Sequence, residues 1–182
     1  MTQSNFSTYI ERNESFAATD LKEKIPEIPF IPFKQVYVIT CIDPRVEPAA
    51  IVGVKLGEAI VARDVGGRVT PAVIKDLAWI LHLHENVTPD AEWFEVAVIH
   101  HTDCGSGLFA NDDLRAGYVA RGGWDDQEVA HLAVLDPAKT VVEDIEKLRA
   151  APELQPTLAK VRIGGYSYDL ETGKLTTVVE PS

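Results

Sequence analysis

The sequence predicts a single α/β domain in which a mostly parallel β-sheet is flanked by helices, with an N-terminal helical arm and a C-terminal β-hairpin. Apolar runs at 35–41 and 93–101 are typical of strands that are buried on both faces of a parallel sheet. Segments with helical spacing separate these strands, as in right-handed α/β folds. The length of 182 residues fits one domain.

The first element is an N-terminal arm, residues 1–33. Residues 1–20 are predicted to form a helix, and the Pro-rich segment KIPEIPFIPF links it to the rest of the chain. The apolar face of this helix comprises Phe6, Ile10 and Phe16. Because such an arm has no evident core of its own, we expect it to pack on a partner subunit. Residues 34–182 then form the α/β domain.

The middle of the chain alternates helices and strands. A short helix is predicted at 47–55, and the strand that follows it breaks at Gly66 and Gly67. The helix at 70–87 begins with Thr70 as its N-cap and a proline at its first helical position. The remaining elements are helices near 111–120, 125–132 and 138–149, and a hairpin that turns at Glu171, Thr172 and Gly173.

Charge and composition exclude two classes of function. The net charge of −11 argues against nucleic-acid binding, which requires clustered lysines and arginines. No apolar run reaches the roughly 18 residues that a membrane span requires, and the N-terminus lacks the layout of a signal peptide. The two cysteines of the chain are Cys41 and Cys104. A cytoplasmic protein with two free thiols is therefore expected.

Metal-binding residue types stand where two predicted strands end. The first strand ends at Cys41, and the third ends in HHTDCG, in which two residues separate His101 from Cys104. Ligands bind beyond the carboxyl ends of the strands in open α/β sheets, so neighbouring strands would bring these three residues together. Two thiolates and an imidazole suit tetrahedral zinc. The sequence therefore predicts one zinc ion per subunit; the alternative is two buried thiols and a core histidine.

The fourth zinc position distinguishes a structural site from a catalytic one. Asp43 could close the site as a fourth ligand. Arg45 is suited to grip a carboxylate in a bidentate pair, so we hypothesise that it holds Asp43 off the metal and that the two form a catalytic pair. A cysteine phosphatase loop is excluded, because three residues between Cys41 and Arg45 are too few for backbone N–H groups to ring a phosphate.

These residues resemble the β-class carbonic anhydrases. CIDPR at 41–45 matches the family's Cys-x-Asp-x-Arg, HTDCG at 101–105 matches its His-x-x-Cys-Gly, and ARDVGGRVT resembles its Arg-Asn-Ala-Gly-Gly segment. The resemblance runs from about residue 35 to the C-terminus. The family includes a short subgroup, which this sequence resembles, and hydrolases of carbonyl sulfide and carbon disulfide also occur in that subgroup.

The resemblance implies a zinc enzyme that is an obligate dimer or higher homo-oligomer. Zinc would be held by Cys41, His101 and Cys104, with Asp43 and Arg45 as the catalytic dyad. Zinc-bound hydroxide would attack the carbon of a small linear triatomic substrate, and hydration of carbon dioxide to bicarbonate is the leading expectation. The alternative is hydrolysis of carbonyl sulfide, or of carbon disulfide, with release of hydrogen sulfide. A non-catalytic protein with a closed zinc site is a third reading.

Four positions near these motifs carry further expectations. Pro32 stands where many β-class enzymes carry a pocket glutamine, and a less polar pocket would favour carbonyl sulfide. Val38 replaces the tryptophan of bicarbonate-regulated members, so that regulation is predicted to be absent. Ser106 lies in CGSG, which replaces the Cys-Gly-Met of the short subgroup. His100 is predicted to be a core histidine, because side chains alternate between the faces of a strand.

Overall fold

The computed structural model describes residues 6–19, 32, 34–88, 94–155 and 157–182. The strands are β1 (Val36–Cys41), β2 (Ala59–Asp64), β3 (Phe94–His101), β4 (Val161–Asp169) and β5 (Lys174–Val179). The α-helices are α1 (Ser7–Ala17), α2 (Pro48–Ile51), α3 (Pro71–Val87), α4 (Asp112–Gly122), α5 (Asp126–Ala130) and α6 (Pro137–Ala150). Short 3-10 helices at Pro44–Val46, Val65–Gly67 and Gly105–Ala110 follow β1, β2 and β3.

The strands form one five-stranded sheet in the order β2-β1-β3-β4-β5. β1 pairs in parallel with both β2 and β3, and β3 pairs in parallel with β4. β5 returns antiparallel to β4 and completes the C-terminal hairpin. The predicted fold class, a mostly parallel sheet with helices on its faces and a closing hairpin, is confirmed.

Alternation along the central strands divides the core between the two faces of the sheet. Ile39 and Val98 pack in one buried cluster with the apolar faces of α3 and α6. Val38 and Ile99, one position away on the same strands, belong to a second cluster on the other face, which also contains Cys41 and Cys104. The near-continuous apolar runs of β1 and β3 are therefore explained by burial on both sides.

Element boundaries follow local chemistry. α3 begins where the sequence predicts, with the Thr70 hydroxyl accepting a hydrogen bond from the Val73 N–H. α2 is shorter than the predicted 47–55, because the chain turns away at Gly53, which has a left-handed φ of +72°. The hairpin turn contains Gly173, with a φ of +68°, as a turn of this kind requires.

α1 covers the described part of the predicted N-terminal helix. Four large apolar side chains are exposed here: Phe6 at the N-cap of α1, and Tyr9, Ile10 and Phe16 on the helix itself. No residue of α1 is buried. The Pro-rich link at 24–33 lies outside the described residues except for Pro32, which is buried. Among the described helices, none is long and apolar enough to cross a membrane.

Candidate metal centre

Three predicted ligands meet at one edge of the sheet. Cys41 is the last residue of β1 and His101 is the last residue of β3, and the two strands are parallel neighbours. Cys104 follows in the turn after β3. The ligand atoms of the three side chains all lie within 4.8 Å of one another, and the two Sγ atoms are 3.9 Å apart. The convergence predicted from the strand ends is therefore found, with all three residues buried.

The ring of His101 is oriented for metal binding. Its Nδ1 lies 2.9 Å from the backbone carbonyl oxygen of Thr102, so Nδ1 carries the proton and Nε2 carries the lone pair. The Nε2 atom is buried and has no hydrogen-bond partner among the described residues. A buried nitrogen lone pair beside two thiols fits a zinc ion, whose preferred ligands are thiolate sulfur and imidazole nitrogen.

The two thiols influence each other's ionisation. A hydrogen bond from Cys41 lowers the pKa of Cys104 below its usual value, an effect that burial opposes and that His101 and Ser106 reinforce. The same contact, together with burial, raises the pKa of Cys41. Cys104 is therefore the more easily ionised of the two thiols, and a bound cation would favour ionisation of both sulfurs.

Asp43 and Arg45 form a close ion pair beside the three ligands. Arg45 Nε lies 3.0 Å from Asp43 Oδ1, and Arg45 Nη2 lies 2.7 Å from Asp43 Oδ2. The Arg45 backbone N–H also donates to Oδ1 at 2.9 Å, since Asp43 caps the 3-10 helix Pro44–Val46. Side-chain hydrogen bonds from Arg45 lower the pKa of Asp43 to about 2. The bidentate pair predicted from the sequence is present.

Asp103 holds the guanidinium of Arg45 from the other side. Arg45 Nη1 lies 2.8 Å from Asp103 Oδ2, and Nη2 lies 3.0 Å from the Asp103 carbonyl oxygen. Asp103 adopts a φ of +50°, an unusual conformation for a residue other than glycine. Its partner, Arg45, lies on a different strand end, which sequence patterns do not reveal.

Arg63 braces the backbone of the loop after β1. Its Nε donates to the carbonyl oxygen of Cys41 at 3.0 Å, and its Nη2 donates to that of Asp43 at 2.7 Å. The third nitrogen, Nη1, contacts the carboxylate of Glu47. A guanidinium on the neighbouring strand thus fixes the path of the chain between Cys41 and Asp43.

Gly66 and Gly67 allow the turn after β2 to approach the site closely. A Cβ on Gly67, whose φ is +66°, would lie 2.8 Å from the backbone nitrogen of Cys41. A Cβ on Gly66 would lie 2.9 Å from the hydroxyl of Ser106. Close approach of the backbone therefore favours glycine at both positions.

A buried ionic cluster that the sequence analysis missed lies behind this turn. Asp144 on α6 accepts hydrogen bonds from Arg68 Nε at 2.8 Å, from the Val69 N–H at 2.9 Å and from Lys147 Nζ at 2.7 Å. His100 Nε2 lies 3.0 Å from the Gly67 carbonyl oxygen and 3.3 Å from Asp144 Oδ2. His100 is fully buried, in agreement with its predicted place in the core.

Comparison with known proteins finds similarity to carbonic anhydrases and to a carbon disulfide hydrolase. A family model described as carbonic anhydrase matches residues 36–121. β-Carbonic anhydrase 1 of Mycobacterium tuberculosis is 30% identical over 152 residues, which cover 83% of this chain and 86% of that protein. A carbon disulfide hydrolase from an Acidianus strain is 24% identical over 166 residues, which cover 78% of this chain and 76% of that protein.

A solved structure agrees with both fold and sequence. The crystal structure of a carbonic anhydrase from Streptococcus mutans matches this fold with a TM-score of 0.75 and 31% identity. The match covers 98% of this chain and 99% of the other. The sheet order, the clustered ligand atoms and the similarity over most of the sequence lead to one conclusion: this chain belongs to the β-carbonic anhydrase family.

Proposed function

We propose that this protein is a zinc enzyme that hydrates carbon dioxide to bicarbonate and a proton. The observation that carries the proposal is the buried Cys41, His101 and Cys104 cluster, in which His101 Nε2 has no partner among the described residues, beside the Asp43–Arg45 pair. Membership of the β-carbonic anhydrase family supports the same reaction. One zinc ion would be held per subunit.

The three ligand residues would hold zinc through Cys41 Sγ, Cys104 Sγ and His101 Nε2. Zinc, when bound, supplies a Lewis acid that makes water nucleophilic near neutral pH. The burial of the three side chains excludes bulk water from around them. The hydrogen bond from His101 Nδ1 to the Thr102 carbonyl keeps the imidazole in the tautomer that the ligand role requires.

Asp43 would orient the attacking water. A carboxylate offers about four lone-pair sites, and three N–H groups of Arg45 reach Asp43: the backbone N–H, the Nη2–H and the Nε–H, which is shared between Oδ1 at 3.0 Å and Oδ2 at 3.2 Å. Three hydrogens leave one of the four sites free. The free site can accept a hydrogen bond from water and direct its oxygen lone pair at the carbon of the substrate. Arg45 fixes the carboxylate in this position and, by lowering its pKa, keeps it ionised across the working pH range.

The same contacts count against a closed, non-catalytic zinc site. As a permanent fourth ligand, Asp43 would have to give up hydrogen bonds to Arg45, which Asp103 in turn holds in place. A purely structural Cys₂HisAsp site has no use for a cation that competes for its carboxylate. The Asp43–Arg45–Asp103 arrangement therefore favours a fourth position that remains free for chemistry.

Hydrolysis of carbonyl sulfide or carbon disulfide is the second candidate. The observation that favours it is the similarity to carbon disulfide hydrolases, at 24% identity over 166 residues for the Acidianus protein. Attack of water on carbonyl sulfide would give carbon dioxide and hydrogen sulfide with the same site residues. Pro32, buried and without a side-chain donor, would keep the pocket less polar and so suit the sulfur-containing substrate.

We also propose that residues 1–33 pack on a partner subunit, giving a homodimer or a higher homo-oligomer. Phe6 at the N-cap of α1 and Tyr9, Ile10 and Phe16 on this helix support the proposal, since four large exposed apolar side chains on one short segment favour a covering surface.

We also propose a reducing, cytoplasmic location, with which the two free cysteines are compatible.

The decisive experiment compares two reactions on protein of known zinc content. We expect wild-type protein to bind one zinc ion per subunit and to have a higher kcat/KM for carbon dioxide hydration than for hydrogen sulfide release from carbonyl sulfide. The reverse ratio would make the second candidate correct. Cys104→Ala should lose zinc and both activities while its circular dichroism spectrum persists. A zinc-free variant with full activity would contradict the whole scheme.

A further inference from the structure

Ser106 is a buried hydroxyl in contact with one of the proposed metal ligands. Its Oγ lies 3.1 Å from the Sγ of Cys104, two residues earlier in the chain. The side chain is only 5% exposed, so water does not compete for this contact. The proposed function assigns no role to this serine, which lies in the CGSG segment of the chain.

The direction of the hydrogen bond follows from the other partner of Ser106. The backbone N–H of Val134 donates to Ser106 Oγ at 3.2 Å, so the oxygen already accepts a hydrogen bond through one lone pair. The hydroxyl hydrogen therefore points elsewhere, and the sulfur of Cys104 is the acceptor that lies within hydrogen-bond distance among the residues that the structure describes. A thiolate, with no hydrogen of its own, can only accept in this pair.

The position of the hydroxyl is also sterically fixed. Gly66 faces it so closely that a Cβ there would lie 2.9 Å from Ser106 Oγ. Val134 fixes the oxygen through its N–H and Gly66 limits its movement on another side. The hydroxyl is thus held at the sulfur by two separate elements, the loop before α6 and the turn after β2.

We propose that Ser106 is a positioning residue whose hydroxyl donates a hydrogen bond to the Cys104 thiolate and thereby reduces the charge that this sulfur gives to the bound metal. The inference rests on the proposed function. Two thiolates already neutralise the charge of a divalent zinc ion and weaken it as a Lewis acid. A hydrogen bond to one of them restores part of the metal's positive character, which is how residues around ligands tune a metal.

Cobalt substitution tests the proposal by a property other than turnover. The sulfur-to-cobalt charge-transfer band reports how strongly the thiolates donate. Ser106→Ala removes the hydrogen bond, so the lone pairs of Cys104 rise in energy and the band should move to longer wavelength. Ser106→Thr keeps the hydroxyl and should leave the band near its wild-type position. An unchanged band in Ser106→Ala, with cobalt fully bound, would overturn the proposal.

Thr40→Val is the matched control. Thr40 is a buried hydroxyl one residue before Cys41, but it donates to the backbone carbonyl of Ile99 at 3.1 Å and not to a sulfur. Its removal should leave the charge-transfer band unchanged, and an equal shift in both variants would overturn the specific role of Ser106. A wild-type protein without a sulfur-to-cobalt band would instead contradict the metal site, and with it the proposed function. The two failures are therefore distinguishable.

Discussion

The molecule contains two arginine–aspartate pairs of similar geometry in very different surroundings. In the pair beside the metal centre, the side chain of Arg45 is 49% exposed and that of Asp43 is 12% exposed. In the pair between the sheet and α6, the side chains of Arg68 and Asp144 are 2% and 0% exposed. Both pairs have two or more hydrogen bonds between guanidinium and carboxylate.

The difference in burial separates the pair proposed to take part in catalysis from a pair that stabilises the fold. Asp144 is surrounded by donors from α6, from the turn after β2 and from β3, so its carboxylate has no site left for a substrate. The hydrogen bonds of the Asp43 carboxylate come from one residue, Arg45, and its side chain is partly exposed. A carboxylate with a lone pair to spare at the edge of the sheet can take part in a reaction, whereas a saturated one in the core fixes the packing.

The largest expected effect is on stability, in Asp144→Ala. Removing the carboxylate leaves Arg68 buried without its counter-ion, which costs about 3–5 kcal/mol of the free energy of unfolding. Urea denaturation in the presence of a chelator measures this loss without a contribution from metal binding. Asp43→Ala is the matched control and should lose much less, because its arginine can turn into solvent. Equal losses would contradict the inference that the Arg68–Asp144 pair stabilises the fold more than the Arg45–Asp43 pair does.

Asp43→Asn should have the opposite effect to Asp144→Ala: activity should fall while stability is retained. We expect the variant to keep its zinc and its stability but to lose about 100-fold or more of kcat, because an amide has a single acceptor oxygen and cannot keep the bidentate pair with Arg45 while it orients the water. Stopped-flow assays of carbon dioxide hydration, with zinc quantified in the same samples, measure both properties. Loss of zinc in this variant would identify Asp43 as a metal ligand and would support a closed zinc site.

Gly67→Ala should disturb both regions together, because this residue lies between them. Its carbonyl oxygen faces His100 of the buried cluster, and its Cα faces the backbone of Cys41. The left-handed φ alone costs an alanine about 1–2 kcal/mol. Gly53→Ala is the control, since Gly53 has a similar φ of +72° and nothing within 4 Å of its added Cβ. Zinc content should fall in Gly67→Ala and remain normal in the control.

Acid should weaken the buried pair in a defined pH range. Burial opposes ionisation of Asp144, but hydrogen bonds from His100 and Arg68 outweigh it and lower the pKa of this carboxyl below its usual value of 3.8. The native state therefore holds fewer protons than the unfolded state, and this stabilisation is present above about pH 4 and is lost as the pH falls further.

Asp144→Asn isolates this contribution. In chelator, the free energy of unfolding of wild-type protein should decrease more steeply below pH 4 than that of the variant, whose amide does not titrate. Parallel pH dependences would show that Asp144 is not the carboxyl responsible.

The smallest effect is expected from Asp103→Asn, which weakens the outer support of Arg45. The side chain of Asp103 is 81% exposed, so stability should hardly change. Turnover should fall by about tenfold, because Arg45 and through it Asp43 become less well positioned. The measurement is kcat at full zinc occupancy, and a loss as large as that of Asp43→Asn would assign Asp103 a direct role in the reaction.

Much of this structure could be predicted from local patterns. Apolar runs identified the central strands, capping residues identified the start of α3, and a thiol or an imidazole at each strand end identified the three candidate ligands. These features depend on residues that are close together in the sequence. A short apolar run predicts a strand, and a capping residue predicts the start of a helix. The Asp43–Arg45 pair belongs to the same group, because its members are two positions apart.

The tertiary structure alone decided which distant side chains meet. Arg45 and Asp103 are 58 positions apart, and Arg68 and Asp144 are 76 positions apart. Val134 and Ser106 are separated by 28 positions. Such contacts depend on strand order, on register and on how α6 lies on the sheet, none of which a local pattern encodes. The sequence by itself therefore determined the elements and the metal-binding residue types, while packing decided which carboxylate remains free to react.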